Sequence, residues 1–413
     1  MQIKATTAAR RLIVLSMIMT MLASVTACSK DARPVGPTGA SAVNLTLRQV
    51  VFTQVVQDVE GSLPLVTGVA AAAQVLVVRS QESVDEVPVI LRLFRGGVVV
   101  YTDTAKTGGV LGPTVSLLTA SAQFLVPAAL VAPDVSWQVE LDPRQTVADS
   151  TRLDNVLPAT PAPLNAVTVP PLRLHLVPVI LSRHNGIRGD VTAANVETYV
   201  RRARQLLPAR EIIVTLGAPL VSGANFGISA EGGDRGFWQF VLADIDAARM
   251  SSGSPDAYWY GVVPIPSGYT QVIFGGFGYL PANPGDTGQG SRTGVGADIS
   301  TSGSAAYAQM LLAHELGHNF GREHAPGCNA PAPLDPLFPN FTGAIMGVGH
   351  DVWSWAAGQS REALSLGPQT GDVMSYCDAR WIGPYNYDAI LKWRMASTVI
   401  TRIVREGPAV ALP

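Results

Sequence analysis

Ser304–His324 reads SAAYAQMLLAHELGHNFGREH, and its last eleven residues, HELGHNFGREH from His314 to His324, decide how the C-terminal part of the chain is read. The stretch before them has apolar spacing and good helix formers. His314 and His318 are four residues apart, so on a helix they share one face about a turn apart and can reach one metal ion. Glu315 follows the first of them and projects beside the metal, where it can take a proton from a water. Gly321 can enter the left-handed backbone region without steric cost, so the helix can stop and the chain turn back. His324 then arrives as a third ligand. Three neutral imidazoles would leave a zinc ion its full charge and an open fourth position.

This string resembles the metzincin zinc metallopeptidases, whose extended motif holds three histidines, the glutamate and the turning glycine at this spacing. The resemblance implies a methionine-containing turn beneath the metal, and Asp372-Val373-Met374-Ser375-Tyr376-Cys377 fits it. The Met-Ser-Tyr order is similar to the serralysin and astacin form. There the tyrosine two after the methionine binds zinc or stabilises the transition state, a role that falls here on Tyr376. The HELGHNFG portion, with a cysteine soon after the third histidine, looks like adamalysins, pappalysins and related bacterial secreted peptidases. The implied activity is a zinc metalloendopeptidase that hydrolyses protein or peptide substrates with one catalytic zinc. Met346 is a second candidate for the turn but lacks the following tyrosine. His175, His184 and His350 stand alone and read as surface or structural rather than as ligands. Glu323 reads as a solvated charge, and Trp353, Trp355, Trp381 and Tyr385 as either pocket lining or core.

Working outward, residues 1–27 form a targeting segment. Lys4, Arg10 and Arg11 precede the apolar run 12–23, and Val25-Thr26-Ala27-Cys28 resembles a bacterial lipobox. Cleavage before Cys28 and lipidation of that cysteine would give an exported protein anchored to the bacterial cell envelope, at the outer membrane or cell surface. A plain secretory signal or a short membrane anchor is the competing reading. Loss of this segment leaves 26 basic against 31 acidic residues, and no basic surface for nucleic acid is expected. Cys328 and Cys377 then remain as an even pair in an oxidising compartment, which favours a disulfide over thiol metal ligation. Its loop of about 50 residues would remove roughly 4 kcal/mol of unfolded-state entropy.

The 413 residues, 47% hydrophobic and 15% charged, exclude disorder and coiled coil. Residues 28–41 read as a tether. Residues 42–156 carry short Val-, Ile- and Leu-rich runs (73–78, 87–94, 98–101, 123–126, 136–141) with Gly96-Gly97 as a hairpin turn, so a β-sandwich, immunoglobulin-like, is expected. The proline-rich stretch 157–171 reads as a linker. Beyond it strand and helix patterns alternate: strands at 172–181, 211–216 and 257–263, helices at 191–207 with Asp190 as N-cap and at 237–250. The Gly-, Ser- and Thr-rich stretch 266–303 is expected to form loops and edge strands near the cleft. The fold expected is thus α+β and multidomain: an N-terminal β-sandwich, then a metzincin-like α/β zinc peptidase domain over 172–405 and a tail at 406–413. Two other functions fit the same residues: a surface-anchored binding lipoprotein with a latent or inactive peptidase domain, and a zinc amidase acting on a non-protein substrate.

Overall fold

The computed structural model describes residues 43–79, 86–108, 116–226, 234–254, 256–267, 275–360, 363–378 and 380–405. The stretches read as a signal segment, as a tether with Cys28 and as a tail at 406–413 lie outside them. Among the described residues no helix is long and apolar enough to cross a membrane. From Val43 onward they cluster as one unit. The architecture is mixed α/β, with many strands and few helices.

The N-terminal strands are β1 (Leu45–Thr53), β2 (Val56–Gln57), β3 (Ala71–Arg79), β4 (Pro88–Arg95), β5 (Val98–Lys106), β6 (Ala122–Val126), β7 (Val135–Leu141) and β8 (Val156–Pro163). One antiparallel sheet runs β1-β3-β6 and a second runs β5-β4-β7-β8. Period-two alternation points Val89, Leu91 and Leu93 of β4 inward against Val75 and Val77 of β3, so the two sheets share a core. Gly96 and Gly97, both with positive φ, make the β4–β5 turn as expected. The proline-rich stretch is not a free linker. Its first half is β8, the edge of the second sheet, and Ala166–Val167 then pairs with Leu65–Val66. Proline cannot donate to a ladder and is confined to edges, so Pro158, Pro161 and Pro163 fit an edge strand as well as a loop.

Next come β9 (Leu172–Leu181), α1 (Val196–Leu206), β10 (Ile212–Leu216), β11 (Leu220–Ser222), α2 (Arg235–Ser251), β12 (Tyr258–Val263), β13 (Gly276–Gly278), β14 (Thr293–Ala297), α3 (Ala305–Asn319), β15 (Val348–Asp351) and α4 (Pro384–Arg405). β9 pairs in parallel with β10, β11 and β12; β14 continues the parallel sheet, and β13 closes it as an antiparallel edge. Leu172, Leu174 and Leu176 of β9 join the core with α1 and α3, whereas Val177, Val179 and Leu181 join the one under α2. Asp190 is not the N-cap of α1. The helix begins five residues later at Asn195, because Asn195 Oδ1 takes the Thr192 N–H while the Asp190 carbonyl is used by Tyr199.

The two parts are not separable modules. β2 pairs with β15. The Val55 carbonyl accepts from the Trp381 indole at 2.8 Å and from the His350 N–H at 2.7 Å. Val55, Val56, Leu63 and Val66 belong to the same hydrophobic cluster as Leu172, Met374 and Trp381.

Candidate metal centre

Ser304 caps α3 by accepting the Tyr307 N–H. At the other end Gly321 takes φ +72°. The Gly321 N–H reaches the His318 carbonyl and the Arg322 N–H reaches that of Gly317, at 2.8 and 3.0 Å. This pair of reversed bonds is a Schellman stop. A side chain at Gly321 would also strike Trp393, with a Cβ 2.4 Å from its ring. The helix therefore ends there, and the chain doubles back to bring His324 under His318.

His314, His318 and His324 converge, with one ring nitrogen from each lying within 4.8 Å of the others. All three are buried. Each Nδ1 faces a backbone carbonyl: His314 that of Val373 at 2.8 Å, His318 that of Arg322 at 2.7 Å, His324 that of Pro331 at 2.8 Å. A carbonyl only accepts, so each Nδ1 carries the proton and each Nε2 carries a lone pair. Burial lowers the pKa of all three, His318 to about 3, so the rings are neutral. The Nε2 atoms of His318 and His324 are 3.1 Å apart. Two lone pairs at that distance repel and cannot hydrogen-bond each other; a cation between them would satisfy both. The donor set therefore fits a metal ion, as expected from the spacing.

Glu315 is buried beside them, and burial raises its pKa well above the usual carboxylate range, against the pull of Arg380. Its room is made by glycines. A Cβ at Gly276 would stand 2.8 Å from Glu315 Oε1, and one at Gly278 would stand 2.7 Å from the Glu315 carbonyl. Glycine within a strand marks such close backbone approach; the stretch expected as loops and edge strands is here β13 and β14, pressed against α3. Asn319 ties the helix end to them, donating to the carbonyls of Tyr279 and Thr293.

Met374 is fully buried beneath the cluster, its sulfur against Gly317. Tyr376 stands at the rim, its ring 5.2 Å from that of His324 and 5.8 Å from that of His314. Burial pushes its hydroxyl up to about 12, so it remains a donor. Cys328 and Cys377 form a disulfide joining the loop after His324 to this turn. Met346 is half exposed and is not that turn.

The spacing did not signal a polar chain that joins the same two segments. Arg322 pairs with Asp335 at 2.6 Å and donates to Asn386; Asn386 donates to Asp372, and Tyr385 donates to Asp335. Asp372 also accepts the Met374 and Gly383 N–H groups. Tyr385 is thus part of the scaffold, and Trp381 is core. His175 packs at a tilt against Trp259, His184 accepts the Phe226 N–H and His350 is buried with its Nδ1 beside Gln74 and Ser365. The cluster opens on a cavity of about 450 Å³ lined by Glu315, His318, His324 and Tyr376, by β13 and its extension to Leu280, by Pro331–Pro333 and by Arg235, Gln239 and Leu242 of α2.

No family model and no curated protein matches the chain. Among solved structures, the CARDB domain of a Pyrococcus furiosus protein, solved in complex with di-metal ions, is similar at 16% identity and a TM-score of 0.20, over 31% of this chain and 96% of that one. The β-glucuronidase of Parabacteroides merdae is similar at 10% and 0.18, over 55% of this chain and 31% of that one. That of Bifidobacterium dentium, complexed with coumarin-3-O-glucuronide, is similar at 13% and 0.15, over 56% and 45%. Scores this low assign neither fold nor activity.

Proposed function

We propose that the protein is a zinc-dependent endopeptidase of metzincin type, exported and held at the cell envelope through a lipid on Cys28. The observation that carries this reading is the set of three buried imidazoles. Each is fixed by an Nδ1–H bond to a carbonyl, their Nε2 lone pairs converge, and a buried carboxylate stands beside them. His314, His318 and His324 would hold the ion. Zinc bound by three imidazoles supplies Lewis acidity and brings the pKa of water toward about 7. Glu315 takes a proton from the attacking water and delivers it to the leaving amine. Its raised pKa suits a group that must hold that proton between the two steps. The Tyr376 hydroxyl, protonated and at the rim, donates to the oxyanion that develops on the scissile carbonyl.

The strand beside Glu315 supports a peptide as substrate. Gly275 and Tyr279 turn their bonding groups toward β14. By the alternation of an antiparallel ladder, the peptide groups of Gly276 and Gly278 then face away from it. They line the cavity at the sheet edge, where an extended chain can add as a further strand.

The test uses a soluble chain starting at Ser29, assayed for zinc and for cleavage of a broad peptide library. One zinc per chain and cleavage that disappears in Glu315→Ala, with zinc retained, is the expected result. His318→Ala should lose the zinc. Zinc without cleavage would turn the reading toward a binding lipoprotein or a non-peptide amide, and absence of zinc would overturn it.

A further inference from the structure

We propose that Arg235, assisted by Gln239, makes one end of the metal cavity a subsite for an acidic side chain of the substrate; this rests on the peptidase reading above. Arg235, Gln239 and Leu242 lie at i, i+4 and i+7 on α2 and line the same cavity as Glu315, His318 and His324. Most of the remaining wall is apolar, with Leu242, Phe277, Leu280, Pro331 and Pro333. Among the described lining residues Arg235 is the one arginine or lysine, and Glu315 is the one carboxylate. The two do not pair with each other, and Arg235 is exposed, with no side-chain ion pair or hydrogen bond to another described residue.

Its place in the helix supports a role in recognition. Arg235 is the first residue of α2, where the helix dipole is positive and disfavours a cation. The Asp234 carboxylate, which could have neutralised it, is buried and accepts the Trp238 indole N–H. A guanidinium fork there, with the Gln239 amide one turn on, offers several N–H donors to a carboxylate. The methylenes of an acidic side chain would lie on the apolar wall. The guanidinium and the amide both stand on α2, so the acidic group belongs at that end of the cavity.

The test is a positional scan of peptides with the zinc-loaded full-length protein, Arg235→Gln and Arg235→Glu. The wild type is expected to favour Glu or Asp over the matching amide at one subsite by about 5- to 10-fold in kcat/KM, the range of a partly exposed charged hydrogen bond. Arg235→Gln should lose that discrimination and Arg235→Glu should turn it toward Lys or Arg, with one zinc per chain in each. Cleavage by the wild type without an acidic preference, or a preference that persists in Arg235→Glu, overturns the subsite alone. Stoichiometric zinc with no cleavage of any peptide defeats the peptidase reading and the subsite with it.

Discussion

Gly317→Ala tests whether the methionine turn sets the metal site. An ideal Cβ at Gly317 would lie 2.3 Å from Met374 Sδ and 3.2 Å from its Cε. Ordinary contacts need about 3.5–4.0 Å, so roughly 1 Å or more of overlap must be relieved. The helix cannot yield freely, because His314 and His318 flank Gly317 and are pinned by carbonyls. Met374 is fully buried and cannot swing out into solvent. The turn must therefore move, and with it the Val373 carbonyl that holds His314 Nδ1 at 2.8 Å. Alanine gains about 1 kcal/mol of helix propensity over glycine, while overpacking costs about 1–3 kcal/mol, so the apo protein should lose only about 0–2 kcal/mol. Zinc should suffer more, since loss of a partner to a ligand histidine weakens metal affinity about 10- to 100-fold. Urea unfolding of the apo protein and zinc competition against a chromophoric chelator measure the two effects. Met374→Ala in the same chain vacates the clashing atoms, and the double variant should recover much of the lost affinity, a coupling that independent sites do not show. Wild-type zinc affinity in Gly317→Ala, or no recovery in the double variant, would refute the argument.

Acid stability should depend on His350. Burial lowers its pKa from 6.5 to about 4, so the unfolded chain gains a proton near pH 6.5 that the folded chain does not take until about pH 4. Its contribution is complete above pH 6.5 and is lost as pH falls through that window, by about 3 kcal/mol. Apo His350→Gln should show a flatter decline in urea-unfolding stability from pH 6.5 to 4 than the apo wild type, and equal slopes would remove His350 as the cause. Removal of residues 43–156 should abolish cooperative thermal unfolding of the remainder, since Val55, Val56, Leu63 and Val66 complete its core; a truncated chain that unfolds cooperatively with one zinc bound would show two independent domains.

The parts of the molecule governed by local periodicity were legible in the sequence. β9 has the bounds that its apolar run implies, and Gly96-Gly97 turns as its composition requires. The convergence of His314, His318 and His324 and the stop at Gly321 were legible because a helix converts spacing directly into geometry. Asp372, Asn386 and Asp335 were not, because their partners are set by the tertiary meeting of the third-ligand loop, the methionine turn and α4. The glycines of β13 and β14 were ambiguous for a related reason. Read locally, Gly276, Gly278, Gly294 and Gly296 argue against a strand. In the folded chain they are required there, because Glu315 occupies the space a Cβ would fill at Gly276, Gly278 and Gly294, and the Tyr260 ring occupies it at Gly296. The proline-rich stretch lost its linker role because a sheet edge accepts the residues that a sheet interior rejects.

The separation of the chain into a sandwich and a C-terminal part has the same weakness, and the candidate metal site shows why. The His318 and His324 Nε2 atoms lie 3.1 Å apart, and without a cation between them that arrangement holds only where the surroundings over-determine it. His314 depends on the Val373 carbonyl, hence on the position of the methionine turn. That turn is held from four directions: by Gly317 of α3, by the Cys328–Cys377 bridge, by Asn386 through Asp372, and by Trp381, which follows it in sequence and is fixed to the Val55 carbonyl. The last of these holds lies in the N-terminal region. The segment between β1 and β3 is therefore part of the frame that keeps three imidazoles aimed at one point, and loosening it would let the lone pairs separate before any metal arrived.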